Sequence, residues 1–461
     1  MKRLLVIGGG LAGLNAAYQA QRAGAEVRVL ELSDRAGGVV QSERKDGFLY
    51  ETGPNTLLNR DAALQKLIAE LGLENEIVAA APAARERFIV RDGKLVPVPM
   101  SASQFLTTPL LTAAAKLRLL REPWSPARGA HESGEESLAN FARRRLGAEV
   151  FTYGLEPFVA GIFAGDPEKL SVRHALPRLQ SMEDEHGSLA RGAISALKKR
   201  RKSGDGPPRL ISFQDGMAML PRALAEKLGD ALTLRARLVS LEQNSSNQWE
   251  AAWETPTTQL REKFDGVTLA VPAHGLDKLP LPLELKAQLG PLGKIEYPPV
   301  NVLVLGYPQH AVGHALDGFG VLVPAAENLS VLGVLFNSTL FPGRAPTGQV
   351  LLTVFVGGAR QPELAGLADE ALVATATADL KKLLRITGEP TFQQIVRWPQ
   401  GIPQYNLDHG DKLAVMEEVE RKWSGLTLAG SYRGGVSVPQ CLATGHAAGL
   451  RALNLSPTPG E

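Results

Sequence analysis

Lys2-Arg-Leu-Leu-Val-Ile-Gly-Gly-Gly-Leu-Ala-Gly13 runs into an alanine-rich stretch and then a second apolar segment that closes on Glu31. Residues 4–7 read as a buried strand, 12–23 as a helix and 26–30 as a second strand. Gly8, Gly10 and Gly13 make a G-x-G-x-x-G turn between strand and helix, and each has a mechanical reason to lack a side chain. Gly8 permits the tight turn, Gly10 lets a pyrophosphate approach the backbone, and Gly13 lets the helix pack closely on the strand. Unpaired amides at the helix start then face phosphate oxygens. Glu31 falls at the carboxyl end of the second strand, where an acid accepts hydrogen bonds from a ribose diol; an arginine there would point to a 2′-phosphate. The order strand, turn, helix, strand, acid predicts a dinucleotide site.

NAD, NADP and FAD all use such a unit, and the next residues choose among them. Arg35-Ala-Gly-Gly38 follows Glu31 at once, and Glu51-Thr-Gly-Pro-Asn55 comes one short hairpin later. A nicotinamide domain moves directly into its next βα unit, whereas Gly37 and Gly38 bring more backbone to the phosphate region and lengthen the site. FAD fits better than a nicotinamide cofactor. The plain alternative is that Gly37 and Gly38 only turn a loop.

At 461 residues the chain exceeds one ordinary core, so two or three domains are expected. A formal net charge of +2 with 6% aromatic residues gives neither the field nor the stacking pattern of a nucleic-acid binder. Cys441 is the single cysteine, which excludes an internal disulfide and a thiolate metal cluster and agrees with a reducing cytoplasm. The eight histidines show no paired metal spacing, so no metal is expected. The strand begins within a few residues of Met1, so no leader is expected, and no apolar run reaches the length of a spanning helix. Residues 105–120 are rich in leucine beside Lys116 and Arg118, and Lys198-Lys-Arg-Arg-Lys202 is a basic run. Either could rest on a lipid surface, or be a self-packed helix and a solvated loop respectively.

Further along, residues 62–71 read as a helix, and 87–90 as a strand turning at Asp92-Gly93 into 95–98. A mainly helical block extends to about Pro208, with boundary signals at Glu122-Pro-Trp-Ser-Pro126 and Gly204-Asp-Gly-Pro-Pro208. Residues 232–242 and 249–254 look like hairpin strands, and 264–271 like another strand. Strands are also expected at 300–307, 320–323, 330–337 and 350–356, then a helix at 369–384, a strand at 426–429 and a helix near 438–453. A second glycine-rich turn, 430–435, precedes that helix. It makes sense if the far end of the chain folds back, one extremity holding AMP and the other approaching the flavin ring.

The assembled residues resemble the protoporphyrinogen oxidase family, within the wider monoamine oxidase and phytoene desaturase group. The narrow match is Glu156-Pro-Phe-Val-Ala-Gly-Ile-Phe-Ala-Gly-Asp-Pro-Glu-Lys-Leu-Ser171. In order follow Asp215-Gly-Met217 with Leu220-Pro221, Tyr297-Pro-Pro299, Gly318-Phe-Gly-Val-Leu-Val-Pro324, Leu340-Phe-Pro-Gly-Arg-Ala-Pro346, Phe355-Val-Gly-Gly358 and Ile402-Pro-Gln-Tyr405. The resemblance implies an α/β plus α+β fold with a Rossmann-type FAD domain in discontinuous segments (1–86, 208–275 and 411–461). It also implies a mixed-sheet substrate domain (87–98 and 276–410) and a helical, membrane-contacting domain (99–207).

Residue by residue, the resemblance places Arg87 near a substrate propionate, with Leu322 and Leu335 sandwiching a macrocycle and Phe355 stacking on it. Asn55, Gly161 and Gly165 line the same cavity. Flavin contacts are implied at Gly8, Gly10, Leu11, Ala12, Gly13, Glu31, Leu32, Arg35, Gly37, Gly38, Gly53, Pro54, Asn55, Val239, Trp398, Gly430 and Val438. Read without the family, Leu322, Leu335 and Phe355 are core strand residues, Arg87 a surface cation and Asn55 a turn residue. The implied reaction takes six hydrogens from protoporphyrinogen IX in three flavin cycles, with dioxygen as acceptor and hydrogen peroxide as by-product; no side chain is assigned as acid or base. Implied partners are a porphyrinogen, dioxygen, the inner face of the cell membrane as a peripheral support and, transiently, ferrochelatase, while monomer and homodimer stay open. Coproporphyrinogen III is the rival substrate. An amine oxidase is a more distant rival, because the Pro-Gln-Cys-Leu setting of Cys441 is not a covalent flavin-attachment motif. A flavin-binding scaffold without turnover is the third.

Overall fold

The computed structural model describes residues 1–126, 134–203 and 209–455, the side chains of 200–203 excepted. The expected boundary at 204–208 therefore lies outside the described residues, as do the side chains of 200–202 in the basic run.

Five parallel strands in the order Leu232–Thr233, Glu26–Leu30, Arg3–Ile7, Gly266–Leu269 and Leu426–Leu428 form the first sheet. Leu4, Leu5 and Val6 have no exposed surface, as the centre of a parallel sheet covered on both faces requires. Helix Leu11–Arg22 covers one face and is buried continuously from Leu11 to Ala20. The reason is helix Val438–Ala452, which lies across it: a Cβ on Gly445 would overlap the carbonyl of Ala12, and one on Gly449 the carbonyl of Ala16. Asn15 Nδ2 also donates to the Leu442 carbonyl at 2.8 Å. The two helices thus meet backbone to backbone.

Two expected strands split. Residues 232–242 divide into Leu232–Thr233 in the parallel sheet and Arg237–Gln243 in a separate antiparallel sheet with Trp249–Glu254 and Gln259–Phe264. Arg235, at φ +52°, turns the chain between them, its N–H bonded to the Ser33 carbonyl and that of Ala236 to the Glu31 carbonyl. The stretch 264–271 likewise passes from Gln259–Phe264 into Gly266–Leu269. Strand Arg209–Phe213 and helix Met219–Leu228 carry no expectation from the sequence; the strand joins Leu57–Asn59 and Ile77–Ala79 in a small sheet.

Seven strands make the second large sheet, in the order Phe392–Trp398, Val300–Pro308, Gln349–Gly357, Val331–Leu335, Gly318–Leu322, Glu86–Arg91 and Lys94–Pro97. Successive side chains alternate between its faces. On one face, Leu303, Leu305, Val321, Val334, Leu352 and Val354 bury against Leu372, Ala376 and Leu380 of helix Asp369–Leu384. Hairpin Ser42–Lys45 and Phe48–Glu51 covers part of the other face, with Phe48 and Tyr50 packed on Val302, Val304 and Phe392. Short helices over 273–294 pack through Leu276, Leu285 and Leu292 on the core beside the parallel sheet, not on the seven-stranded one.

The middle block is helical from Ala102–Thr107 to Leu189–Ser203. The leucine-rich stretch 105–120 is not one helix. Thr112 caps a new one, Ala113–Leu120, of which only Ala115 is buried, while Leu106, Leu117 and Leu120 are exposed.

Candidate active site

The carboxyl ends of the parallel strands bring three distant stretches together. Gly8 (φ +111°) leaves Arg3–Ile7, and a Cβ there would lie 2.6 Å from the Ala270 oxygen at the end of Gly266–Leu269. A Cβ on Gly13 would overlap the Gly8 carbonyl. Gly10 differs from both: nothing lies within 4 Å of its Cβ position, and it starts its helix without a capping side chain. That is open, donor-rich backbone suited to phosphate. Gly37 (φ +103°) donates to the Gly9 carbonyl at 2.8 Å and pairs with Gly10, and a Cβ on Gly38 would lie 3.3 Å from Gly10 Cα. The second glycine pair therefore rests on the first turn.

Glu31 Oε2 accepts from Gly9 N at 2.6 Å, and Oε1 from Ser33 N and Oγ at 2.8 and 2.7 Å. The acid is thereby fixed beside the glycine turn. Val239 is skipped by the register where its strand bulges, and it is 47% exposed. Leu11 and Ala12 are buried, Leu32 is exposed, and Arg35 is exposed at 4.0 Å from Glu43. A Cβ on Gly53 would overlap the Val39 carbonyl, and Pro54 is half-buried beside it. Gly430 (φ +146°) leaves the last parallel strand, and Val438 begins the last helix behind a Ser437/Gln440 capping box. Tyr405 holds the intervening turn: its Oη accepts from Gly435 N at 2.8 Å and donates to the Ser431 carbonyl.

The residues expected to line a substrate cavity share one face of the seven-stranded sheet, the one turned away from helix Asp369–Leu384. Ile89, Leu322, Gly333, Phe355, Val302 and Val396 are paired across it in one row. Leu335, paired with Thr353, lies in the adjacent row, and Arg87 and Trp398 are each two residues from that first row along their strands. Period-two alternation then puts Arg87, Leu322, Leu335, Phe355 and Trp398 on one face. Gly333 opens the row between Leu322 and Phe355. Arg87 is exposed, its guanidinium carbon 5.4 Å from the centre of the Phe319 ring, and Leu322, Leu335 and Phe355 are half-buried. Trp398 Nε1 donates to the Thr52 carbonyl at 2.9 Å, joining this face to the stretch before Gly53.

Helix Glu156–Phe163 closes the far side, entered through a π-helical turn at Phe151–Leu155 and left through Ala164 at φ +47°. A Cβ on Gly161 would lie 2.7 Å from Leu322 Cδ2, and one on Gly165 would strike Gln404 Oε1. Glu156 anchors the helix to the sheet, accepting from Ala325 N at 3.0 Å and standing 3.5 Å from Arg360. Burial pushes its carboxyl up, opposed by the Ala325 N–H and Arg360.

Sequence reasoning missed the buried pair that ties the loop before Gln349–Gly357 to the hairpin and to the small sheet. Arg344 and Glu51 form a buried pair at 3.1 Å; Arg344 also donates to Ser212 Oγ at 2.6 Å, and Glu51 accepts from Met217 N and Ser42 Oγ. Arg344 lies in a motif quoted for its resemblance, yet nothing local tells that its partner lies 293 residues earlier. Asn337 donates to Asn55 Oδ1 at 2.8 Å. Gly445 and Gly449 had a readable signal, a small-x-x-x-small spacing in a helix. Burial pushes the Cys441 thiol up to about 12, so it is no thiolate. Among the described residues there is no cluster that could hold a metal ion and no helix long and apolar enough to cross a membrane.

The model of the flavin-containing amine oxidoreductase family matches residues 11–449. The chain belongs to that family. It is a flavin-dependent oxidoreductase, and the glycine cradle with its uncapped helix start fits such a cofactor. The mitochondrial protoporphyrinogen oxidase of Nicotiana tabacum is 34% identical over 470 residues, covering 96% of this chain and 93% of the relative. Coproporphyrinogen III oxidase of Bacillus subtilis (strain 168) is 28% identical over 476 residues, with 98% of each covered. A solved Exiguobacterium sp. 255-15 structure, provisionally named a protoporphyrinogen oxidase, superposes with a TM-score of 0.81 at 27% identity over 97% of this chain and 98% of that one. The family resemblance quoted from the sequence is borne out by these relatives.

Proposed function

We propose that the chain oxidises protoporphyrinogen IX to protoporphyrin IX with FAD as cofactor and dioxygen as acceptor. The carrying observation is the single sheet face that aligns Arg87, Leu322, Leu335 and Phe355 and connects through Trp398 to the stretch leading into Gly53. A puckered, largely apolar tetrapyrrole with carboxylates on one side suits an aliphatic and aromatic wall with one cation. Arg87 pairs with a propionate, Leu322 and Leu335 hold the ring through their side chains on the shared sheet face, and Phe355 stacks on it. Gly161 leaves room that any side chain would take. The turn that Gly8 and Gly13 shape presents Gly10 to the pyrophosphate, Glu31 takes the adenosine ribose, and Gly430 and Val438 the flavin end. Bound FAD supplies hydride acceptance and reoxidation by dioxygen to hydrogen peroxide, three rounds of which remove six hydrogens. The chain's own contribution is orientation and exclusion of water.

The same reading divides the chain into the FAD segments 1–86, 208–275 and 411–461, the substrate segments 87–98 and 276–410, of which the opening helices to residue 294 pack on the FAD side, and the helical block 99–207. Leu106, Leu117, Leu120 and the 76%-exposed Trp124 support peripheral membrane contact by that block. Dioxygen as acceptor and a transient hand-over to ferrochelatase belong to the same proposal.

The test is anaerobic mixing of purified, flavin-loaded protein with protoporphyrinogen IX or coproporphyrinogen III, followed by flavin bleaching and porphyrin fluorescence. Faster bleaching by protoporphyrinogen IX is expected. A preference for coproporphyrinogen III, supported by the full-length match to its oxidase, would replace the substrate; no bleaching by either would overturn the reading.

A further inference from the structure

Between the glycine cradle and the aligned sheet face lie two primary amides. Asn337 is 4% exposed and Asn55 7%. Asn337 Nδ2 donates to Asn55 Oδ1 at 2.8 Å, and Asn55 Nδ2 donates to the Gly53 carbonyl at 3.0 Å. Among the described residues the oxygen of Asn337 has no hydrogen-bond partner. Leaving such an acceptor buried and unpaired is unfavourable, and the orientation of both amides is fixed: the Gly53 carbonyl can only accept, so it takes Asn55 Nδ2, and the Asn55 oxygen then takes Asn337 Nδ2.

Its setting identifies what spends it. Asn337 is two residues beyond Leu335, at the end of the strand that supplies one wall of the aligned face, and its neighbour Phe336 packs on the opposite side. Asn55 follows Gly53 and Pro54, whose backbone Trp398 holds through Thr52. The pair therefore bridges the cofactor-side stretch and the substrate-side sheet. The other side chains assigned to the substrate on that face are aliphatic, aromatic or cationic, and none of them accepts a hydrogen bond.

We propose that Asn337 is a substrate-positioning residue whose free carboxamide oxygen accepts a pyrrole N–H of the reduced tetrapyrrole, while its amino group holds Asn55 in place. This rests on the porphyrinogen reading. A neutral acceptor suits a pyrrole N–H, and one fixed contact at the ring centre, with Arg87 at the rim, determines how the macrocycle is rotated in its slot.

Steady-state kinetics of Asn337→Leu and Asn337→Ser decide the matter, with flavin content, dithionite reduction and melting temperature measured alongside. The leucine variant is expected to lose at least tenfold in kcat/KM for the porphyrinogen while binding and accepting electrons into its flavin normally, and the serine variant, which keeps an acceptor, to recover most of that loss. Leucine and wild-type values within twofold would overturn the proposal, as would equal losses in both variants. Should the leucine variant not fold, a KM at least twofold above wild type in Asn337→Ser sustains the proposal, and a smaller change overturns it. Wild-type protein inert toward both porphyrinogens would instead bring down the underlying reading.

Discussion

On the proposed reading the two large sheets serve one site by opposite means. The parallel sheet offers backbone: its carboxyl edge carries Gly8, Gly10, Gly37 and Gly430, and where side chains are missing the space belongs to main chain or to ligand. The seven-stranded sheet offers side chains: Arg87, Leu322, Leu335 and Phe355 are arranged only by register. Backbone recognition needs particular residues at particular spacings, whereas side-chain recognition needs only a surface of suitable shape. Errors should therefore abolish the cofactor edge and merely retune the sheet face.

The largest effect is expected at the buried pair that ties a loop of the second sheet to the hairpin. Arg344→Ala leaves Glu51 buried without its cation and should cost about 3–5 kcal/mol. Chemical denaturation checks it, and a loss below about 1 kcal/mol would mean that Glu51 is neutralised without Arg344. Gly445→Ala forces a methyl group onto the Ala12 carbonyl and should cost about 3 kcal/mol, with loss of bound flavin. The yellow colour after gel filtration reports it; a normal flavin content would show that the helix crossing tolerates displacement.

A third prediction concerns pH. His409 is buried, stacked on Tyr405 at 4.1 Å between ring centres, and desolvation pushes its pKa down to about 4. The unfolded chain takes up that proton near pH 6.5, so the contribution is complete above that value and is lost as pH falls toward 4. Roughly 2–3 kcal/mol should disappear across this window, visible as a falling melting temperature, and His409→Gln should flatten the slope. Equal slopes in both proteins would contradict it. Smallest is Arg87→Ala, expected to raise the porphyrinogen KM about tenfold, roughly 1.4 kcal/mol, with flavin content unchanged. An unaltered KM would remove Arg87 from the substrate side.

The contrast also explains what could be read from sequence. Gly8, Gly10, Gly13, Gly37 and Gly38 announce themselves because each answers a local demand of the main chain. Six strands of the second sheet were legible as strands while Phe392–Trp398 was not, and the neighbours of each were not: that Gly333 separates Leu322 from Phe355 is a fact of pairing. Arg344 with Glu51, Asn337 with Asn55 and Tyr405 with the 431–435 turn depend on partners far along the chain, and no local pattern encodes them. Leu232–Thr233 escaped separation from Arg237–Gln243 because apolar content continues through a turn set by a non-glycine residue, Arg235, in a left-handed conformation.

Asn15 and Leu442 touch across 427 residues of chain. On a ribosome adding about 5–20 residues per second, the opening helix waits tens of seconds for the partner that covers it. Until then its alanine face is bare and the glycine turn lacks its rear support, so maturation is timed by the synthesis of Val438–Ala452 and a nascent chain stalled before it would present greasy surface to chaperones.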